Sequence, residues 1–217
     1  DPRALELTRY YTGKTLTFGY QEHFDWSVRG IRPVSPLGIA AELFYRGKPQ
    51  GELVLKVPGK HNIQNALGAL TIGTELGVDL PVALKTLAEF TGVKKRFEIK
   101  GEYDGIVVVD DYAHHPAAIR LTLDAARKAF KGRIWCAFQP HLFSRTKYLL
   151  HEFAQAFGDA DVVVLADIYA AREVDTKDVS SADLAAEAGK YHPDVRYLGD
   201  FETIYHHLRD NLKPGDL

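Results

Sequence analysis

The chain has no methionine and a single cysteine, Cys136, among its 217 residues. A lone cysteine excludes an internal disulfide, and its place inside "RIWCAF" makes it a small apolar strand residue. No apolar run approaches the roughly 20 residues that a membrane-spanning helix needs, and the start, "DPRALELTRYY", lacks the charged and apolar segments of a signal peptide. A cytoplasmic location without a membrane partner is the expectation. Excess charge is missing too. A formal net charge of -2, with 26% charged residues of both signs interspersed, offers no basic surface to nucleic acid. The chain also lacks a Walker loop, a Gly-rich dinucleotide fingerprint, an HExxH pair and a serine nucleophile elbow. Such a chain can bind a nucleotide but cannot by itself hold and activate its phosphates. The missing methionine and the end "LKPGDL", a turn leading into what reads as a strand's first residue, point to a piece of a longer protein.

What is present is a hydrophobic content of 46%, enough for one large core or two small ones. Residues 15–57 read mostly as strands, with Gly47 to Gly51 as a hairpin turn. After Pro58-Gly59 the pattern becomes helical, with Ile63, Leu67, Leu70 and Thr74 on one face, and a second helix starts at Pro81. "TGVKKRFEIKGEYDG" has no clear period and marks a boundary near residues 92 to 97, giving units 1–94 and 95–217. Beyond it, strands ("GIVVVDD", "RIWCAF", "ADVVVLAD", "VRYLGD") alternate with helices ("AAIRLTLDAARKAF", "YLLHEFAQAF", "SADLAAEAGKY", "FETIYHHLRDNL"). Strands apolar on both faces predict a parallel sheet with helices on both sides, an α/β fold whose ligands sit beyond the carboxyl ends of the strands.

Three strands end in polar residues: Asp110 and Asp111, Gln139 and His141, Asp167 and Tyr169. In "DDYAHHP" the side chains of the neighbouring histidines His114 and His115 diverge, so both gripping one metal ion is disfavoured. A carboxylate taking vicinal ribose hydroxyls, with Tyr112 and a histidine orienting a second group, fits better. Asn62 and Asn65 stand three apart on one helical face, where two amides can read a purine edge, although Asn62 also suits a helix cap. Arg96 in "KKRF" can neutralise a phosphate with its bidentate fork, and His141 and Arg145 in "QPHLFSRT" suit a carboxylate or phosphate, with Lys147 adding charge.

"PGKHNIQNALGAL", "KKRFE", "VVVDDYAHHP", "FQPHLFSRT" and "ADIYAAREVD", in this order, resemble the blocks of the Mur ligases, within them the branch that joins L-alanine to UDP-N-acetylmuramate. The resemblance covers essentially the whole chain. It implies a cytoplasmic peptidoglycan-precursor enzyme that uses ATP and Mg²⁺ to activate the muramyl carboxylate as an acyl phosphate. It implies the end of a central ATPase domain in residues 1–94 and a Rossmann-like C-terminal domain, truncated at its end, in residues 95–217. The phosphate loop and the Mg²⁺ ligands would lie upstream, leaving the piece inactive alone and with no catalytic or metal residue of its own. By the same resemblance Asn62 and Asn65 contact adenine, Arg96 approaches the ATP and Asp111 takes the ribose. Tyr112, His114, His115, His141 and Arg145 bind the alanine and muramyl substrates. Ala113 stands where glycine is frequent in the family, and Leu142 where some members have arginine, which removes one charge near the substrate. The alternatives are a murein tripeptide recycling ligase of the same family, a non-catalytic nucleotide-binding module, and a metal phosphoesterase built on Asp110, Asp111, His114 and His115.

Overall fold

The structure is a computed structural model that describes residues 2–35, 37–175 and 177–217. It divides into two compact units, Asp1–Thr91 and Gly92–Leu217.

The first unit opens with helix α1 (Pro2–Leu7) and builds one sheet from β1 (Phe18–Gly19), β2 (Trp26–Pro33), β3 (Ile39–Tyr45) and β4 (Lys48–Leu55), in that order. β1 runs parallel to β2, and β2, β3 and β4 are antiparallel. The hairpin is tighter than a turn spanning Gly47 to Gly51. It turns on Arg46 and Gly47, both at positive φ (47° and 76°), as two-residue turns that match strand twist demand. Pro49 and Gly51 therefore fall inside β4, next to a register irregularity opposite Leu43 and Phe44. β4 is an edge strand, where a missing N–H is tolerated. Helix α2 (Lys60–Glu75) lays its buried Ile63, Leu67 and Leu70 against Trp26, Leu43 and Leu53, the apolar stripe its spacing predicts. Helix α3 (Leu80–Glu89) has Pro81 in its first turn.

The second unit begins with an antiparallel pair, β5 (Glu98–Tyr103) and β6 (Ile106–Asp110). Then come α4 (Pro116–Ala129), β7 (Trp135–Phe138), α5 (Phe143–Tyr148), α6 (Leu150–Ala154), β8 (Val162–Ala166), α7 (Ser181–Ala188), β9 (Val195–Gly199) and α8 (Phe201–Asn211). β7, β8 and β9 form a parallel sheet in that order. Alternation along β8 serves two layers. Val163 and Leu165 share a core with Ile119, Phe153, Phe157 and Leu184, whereas Val162, Val164 and Ala166 pack with Ile204 of α8. The unit is thus an α/β fold with helices on both faces of its parallel sheet. No helix among the described residues is long and apolar enough to cross a membrane.

One expectation needs correction. "GIVVV" reads as a strand of the parallel sheet buried on both faces, but β6 pairs with β5, and Val108 is 41% exposed. The chain's last residues stand between β6 and β7: Val107 N–H donates to the Asp216 carbonyl (3.0 Å) and Trp135 N–H to that of Leu217 (2.8 Å). Composition reports that a strand suits a sheet interior; it does not report which neighbour the crossovers bring to its edge.

Phe157 is fully buried in the core of the second unit, whereas Tyr148 is 82% exposed. Phe157→Ala is expected to lower the unfolding free energy by about 3–5 kcal/mol. Tyr148→Ala should change it by less than about 0.5 kcal/mol. Urea denaturation followed by tryptophan fluorescence checks both.

Candidate functional site

The carboxyl rim of the second unit is assembled by two sets of backbone bonds. The first laces the "KKRF" turn to the end of β6. Tyr112 N–H donates to the Lys95 carbonyl (2.8 Å), and Phe97 N–H donates to Asp111 Oδ2 (2.8 Å). Asp111 Oδ1 accepts from Ala113 N–H (2.7 Å), the local carboxylate turn that aspartate makes easily. Arg96 sits between Lys95 and Phe97, at φ 58° and 47°. Two adjacent-but-one side-chain-bearing residues in the left-handed region cost of order 1–3 kcal/mol each, and the lacing holds them there. Arg96 is exposed at the tip of this turn.

The second set joins the loop after β7 to the loop after β8. Tyr169 N–H donates to the Pro140 carbonyl (2.8 Å), and Leu142 N–H to that of Tyr169 (2.9 Å), which pairs His141 with Tyr169 as an isolated bridge. Gln139 Nε2 donates to the Asp167 carbonyl (3.2 Å). Leu142 stands at φ 75°, and its carbonyl accepts from Thr146 N–H (3.1 Å) and Oγ1 (2.9 Å). Position 142 thus serves through its backbone. Glu173 grips the start of α5, accepting from Ser144 N–H (3.0 Å) and from Ser144 Oγ. Those two bonds hold its carboxyl below the usual glutamate range, with Arg145 adding an attractive charge.

Between these lacings four rings form a row. Tyr112 and His114 lie 5.0 Å apart edge to face, His114 and His141 6.3 Å apart, and His141 and Tyr169 5.3 Å apart. Arg145 ties the two loops together, with Nη1 3.5 Å from the His114 carbonyl and 3.4 Å from the His141 carbonyl. His114 Nδ1 lies 2.9 Å from the Tyr112 carbonyl. A carbonyl only accepts, so Nδ1 carries the proton, and in the neutral ring Nε2 is left as an acceptor. His141 Nδ1 is buried and has no hydrogen-bond partner among the described residues.

Of the residues that the sequence singles out, Tyr112, His114, His141 and Arg145 are brought together, and Arg96 and Asp111 meet along the first lacing. His115 is not in the row. Its Nδ1 accepts from Ala117 N–H (3.3 Å) and caps α4. Lys147 is paired with Asp178 (3.0 Å). In the first unit, Asn62 is not a helix cap: Gly59 holds that position, and Asn62 Nδ2 donates back to the Pro58 carbonyl (2.7 Å). Asn65 Nδ2 lies 3.3 Å from Asn62 Oδ1, so the two amides share one face and bond to each other. Sequence reasoning missed Glu173 and Tyr197. The Tyr197 hydroxyl donates to Asp167 Oδ1 (2.5 Å), a bond that raises the phenol's pKa. Both partners come from distant parts of the chain, and no local pattern announces them. Among the described residues no three or more His, Cys, Asp or Glu side chains gather as a metal site.

Comparison with known proteins agrees in one direction. Residues 95–217 match the family described as Mur ligase, glutamate ligase domain. The chain is 44% identical over its whole length to a UDP-N-acetylmuramate–L-alanine ligase of Caldanaerobacter subterraneus subsp. tengcongensis, covering 47% of that protein. It is 50% identical, again over its whole length, to the enzyme of that name from Acetivibrio thermocellus, covering 46%. The chain therefore spans about half the length of the curated relatives it matches. The crystal structure of the UDP-N-acetylmuramate-alanine ligase of Thermotoga maritima superposes with a TM-score of 0.78 at 28% identity, over 93% of this chain and 43% of that one.

Because the Glu173 pKa is depressed, its contribution is fully present above the unfolded value, about 4.3, and is lost as pH falls through the lower folded value. Protection of the Ser144 amide, corrected for intrinsic exchange, should fall in acid in the wild-type chain. In Glu173→Gln it should be weaker and flat with pH.

Proposed function

We propose, from the premise that the chain belongs to the Mur ligase family, that it is part of a cytoplasmic ATP-dependent ligase joining L-alanine to UDP-N-acetylmuramate in peptidoglycan synthesis. The observation that carries this reading is the ring row Tyr112, His114, His141 and Tyr169 bridged by Arg145 at the rim. In the reaction, the amine of L-alanine attacks the carbonyl carbon of an acyl phosphate, a C–N bond forms, phosphate leaves and the nitrogen gives up a proton. A catalyst of that step chiefly aligns two bound reactants and neutralises their charge. Arg145 uses one guanidinium nitrogen on the two carbonyls, which leaves its other donors for a substrate carboxylate. His114, with Nδ1 held as donor, offers Nε2 as acceptor to the amine. His141 Nδ1 is a buried polar atom that a substrate group would satisfy.

Each unit by itself offers groups suited to a nucleotide: in the first, the Asn62 and Asn65 amides present a face for adenine; in the second, Asp111 offers an acceptor for ribose hydroxyls and the neighbouring turn a cation, Arg96, for phosphate. Both Asp111 oxygens already accept a backbone N–H, so ribose hydroxyls would use their remaining lone pairs. Among the described residues no cluster of His, Cys, Asp or Glu side chains gathers that fits Mg²⁺.

Titration of the chain with ATP, with and without UDP-N-acetylmuramoyl-L-alanine, beside a phosphate-release assay, tests the reading. Binding without phosphate release is expected. Arg145→Ala should weaken product binding at least about tenfold, the loss of a charge-assisted contact. Unchanged product affinity in that variant, or robust phosphate release by the chain alone, would count against the proposal.

A further inference from the structure

The bonds that Arg145 makes for itself are too long to fix it. Its Nη1 lies 3.5 Å from the His114 carbonyl and 3.4 Å from the His141 carbonyl, at the far limit for an N–H donor. The guanidinium is therefore only as well placed as the backbone that carries it. That backbone is α5, six residues whose N-cap position, Leu142, offers no side-chain bond. A helix of that length does not hold itself together in water.

Two sides of the fold hold it instead. On the inner side Thr146 is fully buried, and its Oγ1 donates to the Leu142 carbonyl (2.9 Å). On the outer side the loop after β8 meets α5 and its cap at three points. Leu142 N–H donates to the Tyr169 carbonyl (2.9 Å), Ser144 donates to Glu173 through its N–H (3.0 Å) and its Oγ, and Lys147 pairs with Asp178 (3.0 Å). The three differ in strength. The first is a neutral backbone bond, and the third joins two exposed side chains, a pairing that contributes little. The middle contact is doubled and has an ionised acceptor, which strengthens it. It also pairs one of the first-turn N–H groups that a helix cannot satisfy by itself. Glu173 is steadied in turn, since its own N–H donates to the Ala170 carbonyl (2.9 Å) across Ala171 at φ 52°.

Charge alone would make Glu173 unhelpful here, because a carboxylate near Arg145 competes with a ligand carboxylate for the same cation. The Glu173 carboxyl answers first to the Ser144 hydroxyl and N–H and least to the charge of Arg145. It grips the helix backbone and leaves the guanidinium free.

We infer, building on the proposed role of Arg145 as a carboxylate-binding group, that Glu173 is a positioning residue: through the first turn of α5 it holds Arg145 where a ligand carboxylate meets the guanidinium. Ser144 and Arg145 are adjacent, so the residue that holds Ser144 sets where the Arg145 side chain begins.

Titration of the chain with UDP-N-acetylmuramoyl-L-alanine and with the corresponding alaninamide tests this, since the amide lacks the carboxylate that Arg145 takes. The wild-type chain should bind the acid at least about tenfold more tightly than the amide, and Arg145→Ala should remove that preference. In Glu173→Gln the acid should bind about three- to tenfold more weakly, the loss of a charge-assisted hold, with the amide unchanged. Added to Arg145→Ala, Glu173→Gln should alter neither ligand. A wild-type chain without preference for the acid would overturn the proposed role of Arg145, and the positioning role with it. Given that preference, three results would overturn the positioning role alone: Glu173→Gln tightens the acid or leaves it unchanged, weakens both ligands equally, or still acts when Arg145 is absent. Hydrogen exchange at Val164, in the buried strand β8, reports the fold. Should Glu173→Gln lose that protection, Ser144→Ala decides: removing the hydroxyl donor should weaken the acid about threefold and spare the amide, and unchanged affinity for the acid would overturn the inference.

Discussion

A parallel strand closed in on both faces can release polar groups only at its ends. Val162–Ala166 is buried throughout, packed between the layer that holds Phe153, Phe157 and Leu184 and the layer that holds Ile204. The polar residues that follow it and its neighbour β7 emerge together at one rim, and the two loops there have little choice of partner but each other. Backbone groups released at a buried strand end must be paired. The bonds among Gln139, Pro140, Leu142, Asp167 and Tyr169 are that pairing, and they set the positions of His141 and Arg145.

The same economy governs the first lacing. From the sequence Asp111 reads as a ligand group, and in the fold its two oxygens accept from the Phe97 and Ala113 N–H groups. One carboxylate thereby closes the turn after β6 and steadies the strained turn that presents Arg96. Its structural and its ligand roles are compatible because an ionised carboxylate accepts more bonds than these two. His114 and His115 divide their work differently. Sequence neighbours point apart, so one enters the ring row while the other caps α4.

Much of this was legible from the residues. The helical face of Ile63, Leu67 and Leu70, the alternation of strand and helix in the second unit, and the crowding of acids, histidines and an arginine behind three strands follow from periodicity and from where chemistry-bearing residues sit. Glu173 and Tyr197 were not legible, because Glu173 reaches Ser144 and Tyr197 reaches Asp167 across long stretches of chain. Nor was the hairpin turn at Arg46-Gly47, where an arginine takes a left-handed conformation that its type does not advertise.

By itself the sequence determined the kinds of element, their order and the chemistry available at the rim, since these depend on local propensity and on spacing along the chain. Only the tertiary structure decided which loop ends bond to which, which of two adjacent histidines faces the row, and what lies at the edge of β6. Those are contacts between residues far apart in the chain, and their geometry is set by packing and by the demand that backbone groups be paired. Val107 and Trp135 make the point: each sits in a run that reads as an interior strand, and the fold pairs both with Asp216 and Leu217 at the other end of the chain.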